Sequence, residues 1–144
     1  MTANPVRRVV TGLDAQGRSC ILTDAPSDKM LIWRGGLPLD NGGDADPATT
    51  DFAFPTADNG FSCVVSDFQP GYGTDGIFWH AIDLIVVTAG ELTLVTETGE
   101  TLVRAGDVVV DRGIYHGWRN DGPVPARIFA VLLKADPVGK GATL

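Results

Sequence analysis

At 144 residues, with 44% hydrophobic and 20% charged side chains, the chain has the size and composition of one ordered domain spanning residues 1–144. Eighteen acidic against eleven basic residues give a formal charge of −7, which repels a phosphate backbone and excludes nucleic acid as a partner. The longest apolar stretches, Ile82 to Val87 and Ile128 to Leu133, are interrupted or too short to cross a bilayer, so no membrane span is expected.

Eighteen Gly and nine Pro fall between short β-branched segments, the punctuation of an all-β domain. In chain order the strands are expected at Arg7 to Thr11, Ser19 to Thr23, Met30 to Trp33, Phe61 to Asp67 and Phe78 to Val87. A second group follows at Glu91 to Thr96, Thr101 to Val103, Asp107 to Asp111, His116 to Arg119 and Ala126 to Leu133. The turn-and-strand rhythm of about 8 to 12 residues in the second half is that of a jelly-roll barrel.

Between residues 35 and 59 the composition shifts to Gly, Pro, Asp, Asn, Ala and Thr, which predicts a long loop whose Phe52, Phe54 and Pro55 cover a pocket mouth, core or a partner chain. Residues 136–144 read as an untethered tail. No apolar stretch follows the two arginines at the start, so no secretory leader is expected. Cys20 and Cys63 lie in alternating apolar segments and read as buried free thiols, which fits a reducing cytoplasm. Unpaired strand edges at Arg7 to Thr11 point to a homodimer.

The segment Gly106-Asp107-Val108-Val109-Val110-Asp111-Arg112-Gly113-Ile114-Tyr115-His116-Gly117-Trp118-Arg119-Asn120 resembles the second signature of the small single-domain cupins. Its ending of Gly, two residues, His, three residues, Asn is intact; six residues rather than seven separate the glycines, and the usual Pro is absent. The skeleton of the first signature can be laid between Gly71 and Gly90, with Ile77 and Trp79 at its two His positions and Asp83 at its Glu position. The resemblance covers residues 71–120 and implies a double-stranded β-helix, the jelly-roll cupin barrel.

In that family two histidines, a Glu and the His of the second signature converge on a metal such as Fe, Mn or Zn. Here only His116 and the shortened acid Asp83 stand at those places, and His80 is one residue out of register, pointing outward from a regular strand. A β-bulge would turn His80 inward and complete a set of His80, Asp83 and His116. The expected pocket holds no metal and no other cofactor, with that set as the alternative.

If the barrel is followed, Asp83 and His116 face one cavity, where the carboxylate would orient the imidazole and make it an acid/base near neutral pH. Catalytic candidates are therefore His116, Asp83 and His80. Ile77, Trp79 and Trp118, with Trp33 on the third strand, are candidate substrate-binding walls, and Arg34 and Arg112 are rim candidates. No phosphate loop, dinucleotide fingerprint or nucleophile elbow is present. The expected activity is that of a lyase, isomerase or cyclase carrying out dehydration, decarboxylation or enolisation of a small hydrophobic oxo- or hydroxy-substituted compound. The alternatives are a metal-dependent dioxygenase or lyase and a ligand-binding module without turnover.

Overall fold

The computed structural model describes residues 5–39, 42, 45–52, 60–74 and 81–136. Among these residues ten strands appear in the expected order: β1 (Val6–Leu13), β2 (Ser19–Ser27), β3 (Leu31–Gly36), β4 (Gly60–Phe68), β5 (Ala81–Ala89), β6 (Glu91–Thr96), β7 (Gly99–Arg104), β8 (Val108–Asp111), β9 (His116–Arg119) and β10 (Ala126–Lys134). The start expected for the fifth strand, residues 78–80, lies outside the described residues. β2 runs four residues further than expected and includes Pro26, opposite Arg7 in a two-stranded hairpin, an edge strand of the kind to which Pro is confined.

All pairings are antiparallel. A five-stranded sheet has the order β3-β4-β10-β5-β8, a three-stranded sheet the order β7-β6-β9, and β1 and β2 form a hairpin of their own. Between the two larger sheets lies one core containing Leu31, Val64, Ile85, Val87, Ile128 and Ala130 from the first and Leu92, Val103 and Trp118 from the second. This is a jelly-roll, all-β architecture, and alternation decides its faces. On β5 residues 81, 83, 85 and 87 are buried while Ile82 and Leu84 are exposed.

The chain changes sheet at glycines. Gly90 joins β5 to β6 with φ +69°, and a Cβ there would stand 2.7 Å from Pro125 O and 2.8 Å from Ala126 Cα. Gly113, at φ +70°, lies between β8 and β9, where the chain leaves the five-stranded sheet for the three-stranded one.

The β1–β2 hairpin is held to the barrel through Arg8. Its Nε donates to Ile32 O at 2.9 Å, its two terminal nitrogens grip Asp46 at 2.7 Å each, and its guanidinium lies 5.5 Å from the Trp33 ring centroid. Asp46 also caps a single 3-10 turn, Pro47–Thr49, within the long loop. Phe52 packs against the core, as one reading of that loop expected, whereas Phe54 and Pro55 lie outside the described residues. Asp136 is exposed, and the rest of the expected tail is likewise outside them. Cys20 and Cys63 are free but only half-buried.

Candidate active site

Asp83 is on the inner face of β5 and pairs directly across the strands with Asp111, the last residue of β8. Both carboxylates are buried, at 8% and 4% exposure, and His116, the first residue of β9, is buried beside them at 6%. Two carboxylates opposite one another on a sheet repel, so the imidazole is the group that makes the arrangement tolerable.

The chain between β8 and β9 is folded by Asp111 itself. Its Oδ1 accepts from the backbone N–H of Gly113 at 2.8 Å and of Ile114 at 3.2 Å, a side-chain turn that brings His116 back over the carboxylate. His116 Nδ1 then lies 2.9 Å from Ile114 O and 2.6 Å from Asp111 Oδ2. Both neighbours are acceptors, so Nδ1 carries the proton and Nε2 is the free nitrogen. The N–H is aligned on Ile114 O, and Asp111 Oδ2 is a close ionic neighbour off its axis, without a well-aligned donor of its own among the described residues.

Burial opposes a charged imidazolium at His116, but Asp111, the Ile114 carbonyl and the more distant Asp83 outweigh it and raise its pKa above the ordinary 6.5. Burial also works against ionised Asp111, yet His116 and the two backbone amides hold its pKa below the usual carboxylate value. Asp83 has no such support. Burial first, then the Asp111 charge, push its pKa up to about 6 despite the opposing pull of His116, and its Oδ1 has no hydrogen-bond partner among the described residues.

The orienting partner of His116 is therefore Asp111, where the sequence pattern pointed to Asp83. The reason is local: Asp111-Arg112-Gly113 reads as a turn, and the same side chain that closes the turn reaches the imidazole. Asp83 is the nearby second carboxylate, its Oδ1 without a hydrogen-bond partner among the described residues.

Trp118 is buried behind His116, with ring centroids 6.1 Å apart at 82° and a further contact to Phe68 at 6.4 Å. Its main chain is tied to Thr74, which accepts from Trp118 N at 3.0 Å through Oγ1 and donates from its own N to Trp118 O at 3.1 Å. The intervening Gly117 is needed because a Cβ there would collide with Thr74 O. An open cleft of about 530 Å³ reaches His116, with Gly73, Thr74, Thr96 and Tyr115 among its walls.

Trp33, expected as a pocket wall, stands on the opposite face. A bulge between Leu31 and Trp33 reverses the alternation, so Leu31 is opposite Val64 on the core side while Trp33 is opposite Cys63 on the outer side, under Arg8. Ile77, Trp79 and His80 lie outside the described residues. Among the described residues no group of three or more His, Cys, Asp and Glu side chains is arranged to hold a metal ion. Asp111 is occupied by the turn and by the imidazole, which leaves His116 Nε2 and Asp83 as available donors among the described residues.

The final Asn of the second signature is structural. Asn120 is fully buried; its Nδ2 donates to Phe68 O at 2.8 Å and Val124 O at 2.9 Å, and its Oδ1 accepts from Gly122 N at 2.9 Å. It thereby fixes the end of β4 and the turn into β10.

Residues 64–132 match the family model of the cupin domain. The cupin-domain-containing oxidoreductase virC of Hypocrea virens is 32% identical over 149 residues, covering 91% of this chain and 77% of that protein. The chain is a cupin. A second cupin-domain-containing oxidoreductase, srdB of Neurospora crassa, is 29% identical with 91% and 74% covered. Oryzines biosynthesis cluster protein J of Aspergillus oryzae is 42% identical over 77 residues, half of this cupin and 41% of that protein. Among solved structures, a cupin 2 conserved barrel protein from Salinispora arenicola is similar, with a TM-score of 0.49, 21% identity and 73% and 76% of the two chains covered. No helix of this cupin is long and apolar enough to cross a membrane, among the residues described.

Proposed function

We propose that this cupin is a small-molecule enzyme whose chemistry is proton transfer, a metal-independent lyase, isomerase or cyclase acting on a hydrophobic oxo- or hydroxy-substituted compound. The observation that carries the proposal is the pairing of a buried Asp83 oxygen without a hydrogen-bond partner among the described residues and an imidazole whose tautomer is set by Asp111 and Ile114. Above about pH 6 Asp83 is ionised while His116 still holds its second proton, so the site contains a base and an acid side by side. Asp83 would take a proton from the carbon next to a carbonyl, and His116 Nε2–H would donate to the developing oxyanion or to a departing hydroxyl. Asp111 touches no reacting atom in this scheme; it positions His116 and sustains its charge. The names of the relatives, oxidoreductases and biosynthesis-cluster proteins, support a small-molecule enzyme.

The test is exchange of the α-protons of aromatic ketones and 1,3-dicarbonyl compounds in D2O, followed by proton NMR with the chain, with His116→Gln and with Asp83→Asn. Exchange by the parent chain alone supports the assignment. Equal exchange by both folded variants overturns it. Saturable binding without exchange or turnover would indicate a ligand-binding module instead.

A second reading, a metal-dependent cupin carrying out oxidation or metal-assisted elimination, is favoured by the oxidoreductase names. It requires His80 to join Asp83 and His116 around Fe, Mn or Zn. About one equivalent of metal in the purified protein, lost on substituting Asp83 or His116, would establish it and remove the metal-independent proposal. The proposed compartment is the reducing cytoplasm, supported by two free thiols.

A further inference from the structure

Five residues line up across the five-stranded sheet. Arg34 on β3 is opposite Ser62 on β4, Ser62 is opposite Leu132 on β10, Leu132 is opposite Asp83 on β5, and Asp83 is opposite Asp111 on β8. Cross-strand partners share a face, so the whole row points to the inner side, where Ser62, Leu132, Asp83 and Asp111 are all buried. Arg34 is nevertheless exposed, so water reaches the inner face at its β3 end. The other five arginines on strands, Arg7, Arg8, Arg104, Arg119 and Arg127, each grip a carboxylate. Arg34 has no ionic or hydrogen-bonding partner among the described residues. In a chain of net charge −7, an inward guanidinium without such a partner is suited to an anion from outside.

We infer that Arg34 binds a carboxylate of the substrate, so that the compound handled here is an oxo or hydroxy acid whose charged end lies at β3 and whose reacting carbon lies at Asp83. The inference rests on the proton-transfer reading for the direction of the ligand and on the cross-strand row for the place of its charge. The row is graded as such a ligand would be: Arg34 and the Ser62 hydroxyl at one end, Leu132 under the middle, and the two carboxylates at the other. An anionic group is repelled by Asp83 and Asp111 and drawn to the guanidinium, which fixes which way round the compound lies. With strands about 4.8 Å apart, Arg34 and Asp83 are about 14 Å apart along the sheet, and an extended arginine side chain covers about half of that. The remaining distance, about 7 Å, matches that from a carboxylate to the methyl carbon of an acetyl group across one benzene ring. A planar guanidinium donates two parallel N–H bonds to a carboxylate, so it sets orientation as well as charge.

The probes are 4-acetylbenzoate and methyl 4-acetylbenzoate, which has the same ring and acetyl group without the charge. Isothermal titration of the full chain should show the acid bound at least about 10-fold more tightly than the ester. Arg34→Gln should abolish that preference by weakening the acid roughly 10- to 100-fold and leaving the ester unchanged, and Arg34→Lys should restore part of it. Arg34→Met, which keeps the apolar stem, serves in its place should Arg34→Gln misfold by circular dichroism. Equal affinity of the parent for acid and ester, no binding of the acid, or an acid preference that survives in folded Arg34→Gln would each overturn the inference. Exchange of the acetyl protons in D2O, read on the same samples, tests the proton-transfer reading separately. An Arg34-dependent preference without exchange upholds the carboxylate site and removes that reading, whereas exchange of both compounds, equal in the parent and in Arg34→Gln, does the reverse.

Discussion

Asp83→Asn separates the cost of a buried carboxylate from its use. In the folded chain the Asp83 pKa is pushed up to about 6 from an ordinary 3.8, chiefly by burial and next by the charge of Asp111. The sign follows from which state binds the proton more tightly. The folded state does, so folding is undisturbed below the ordinary carboxylate value and loses stability as pH rises through about 6. Two pKa units correspond to on the order of 3 kcal/mol at neutral pH, a large share of the stability of a domain this size. Asparagine has the shape of the protonated acid and never ionises, so it removes the penalty. The substitution has its own pH-independent effect on packing, but that contribution cancels when one protein pair is compared at two pH values.

Between about pH 4.5 and pH 8 the stability of Asp83→Asn relative to the parent should therefore improve by on the order of 2 kcal/mol, or about 4–8 °C in Tm. Urea unfolding followed by tryptophan fluorescence, with melting curves at both pH values, measures it. Fluorescence suits the purpose because Trp118 is buried in the core beside His116. A stability difference that is flat in pH, or that favours the parent at pH 8, would refute the raised pKa and with it the base assigned to Asp83. A more stable but inactive variant is the signature of a residue retained for chemistry at a cost in stability.

His116→Gln and Asp83→Asn should each lower turnover by about 10²- to 10⁴-fold with the fold retained, measured as α-proton exchange and circular dichroism on the same samples. The profile of kcat/KM against pH should rise through about 6 as Asp83 ionises and fall above the raised His116 value; Asp111→Asn, by removing a negative charge from both neighbours, should move both limbs to lower pH. Gly90→Ala should cost about 2–4 kcal/mol in chemical unfolding, since alanine is strained at φ +69° and its Cβ meets Pro125 O and Ala126 Cα. Asn120→Ala should cost about 3 kcal/mol in the same assay, because two carbonyls and one N–H lose their buried partner.

Strand order was legible because alternation and glycine punctuation act locally. Asp83 was placed inward by the resemblance to the first cupin signature and not by alternation alone, since Ile82 and Leu84 on the outer face are as apolar as Ile85 and Val87 on the inner one. Gly90 was legible as a terminal glycine, though not the Pro125 and Ala126 contacts that demand it. Two features were hidden for different reasons. Trp33 follows a bulge, and one extra residue inverts every inference from parity downstream of it. Asp111 was concealed by doing two jobs, since an Asp two residues before Gly is accounted for by the turn alone, and its reach to His116 depends on how that turn folds.

The placement of the three ionisable groups explains why an acid and a base can coexist in so small a volume. Asp83 and Asp111 belong to the five-stranded sheet and His116 to the three-stranded one, so the site lies where the two sheets meet. Were Asp83 and Asp111 alone, their opposition across β5 and β8 would drive one of them to hold a proton throughout the neutral range. The turn assigns that asymmetry in advance. Asp111 receives two amide N–H groups and the imidazole, which lower its pKa, whereas Asp83 receives burial and repulsion, which raise its own. Its charge sustains the imidazolium from one side while it weakens the acidity of Asp83 from the other. One supporting carboxylate thus moves the pKa values of both groups toward the neutral range in which the proposed base and acid would act together.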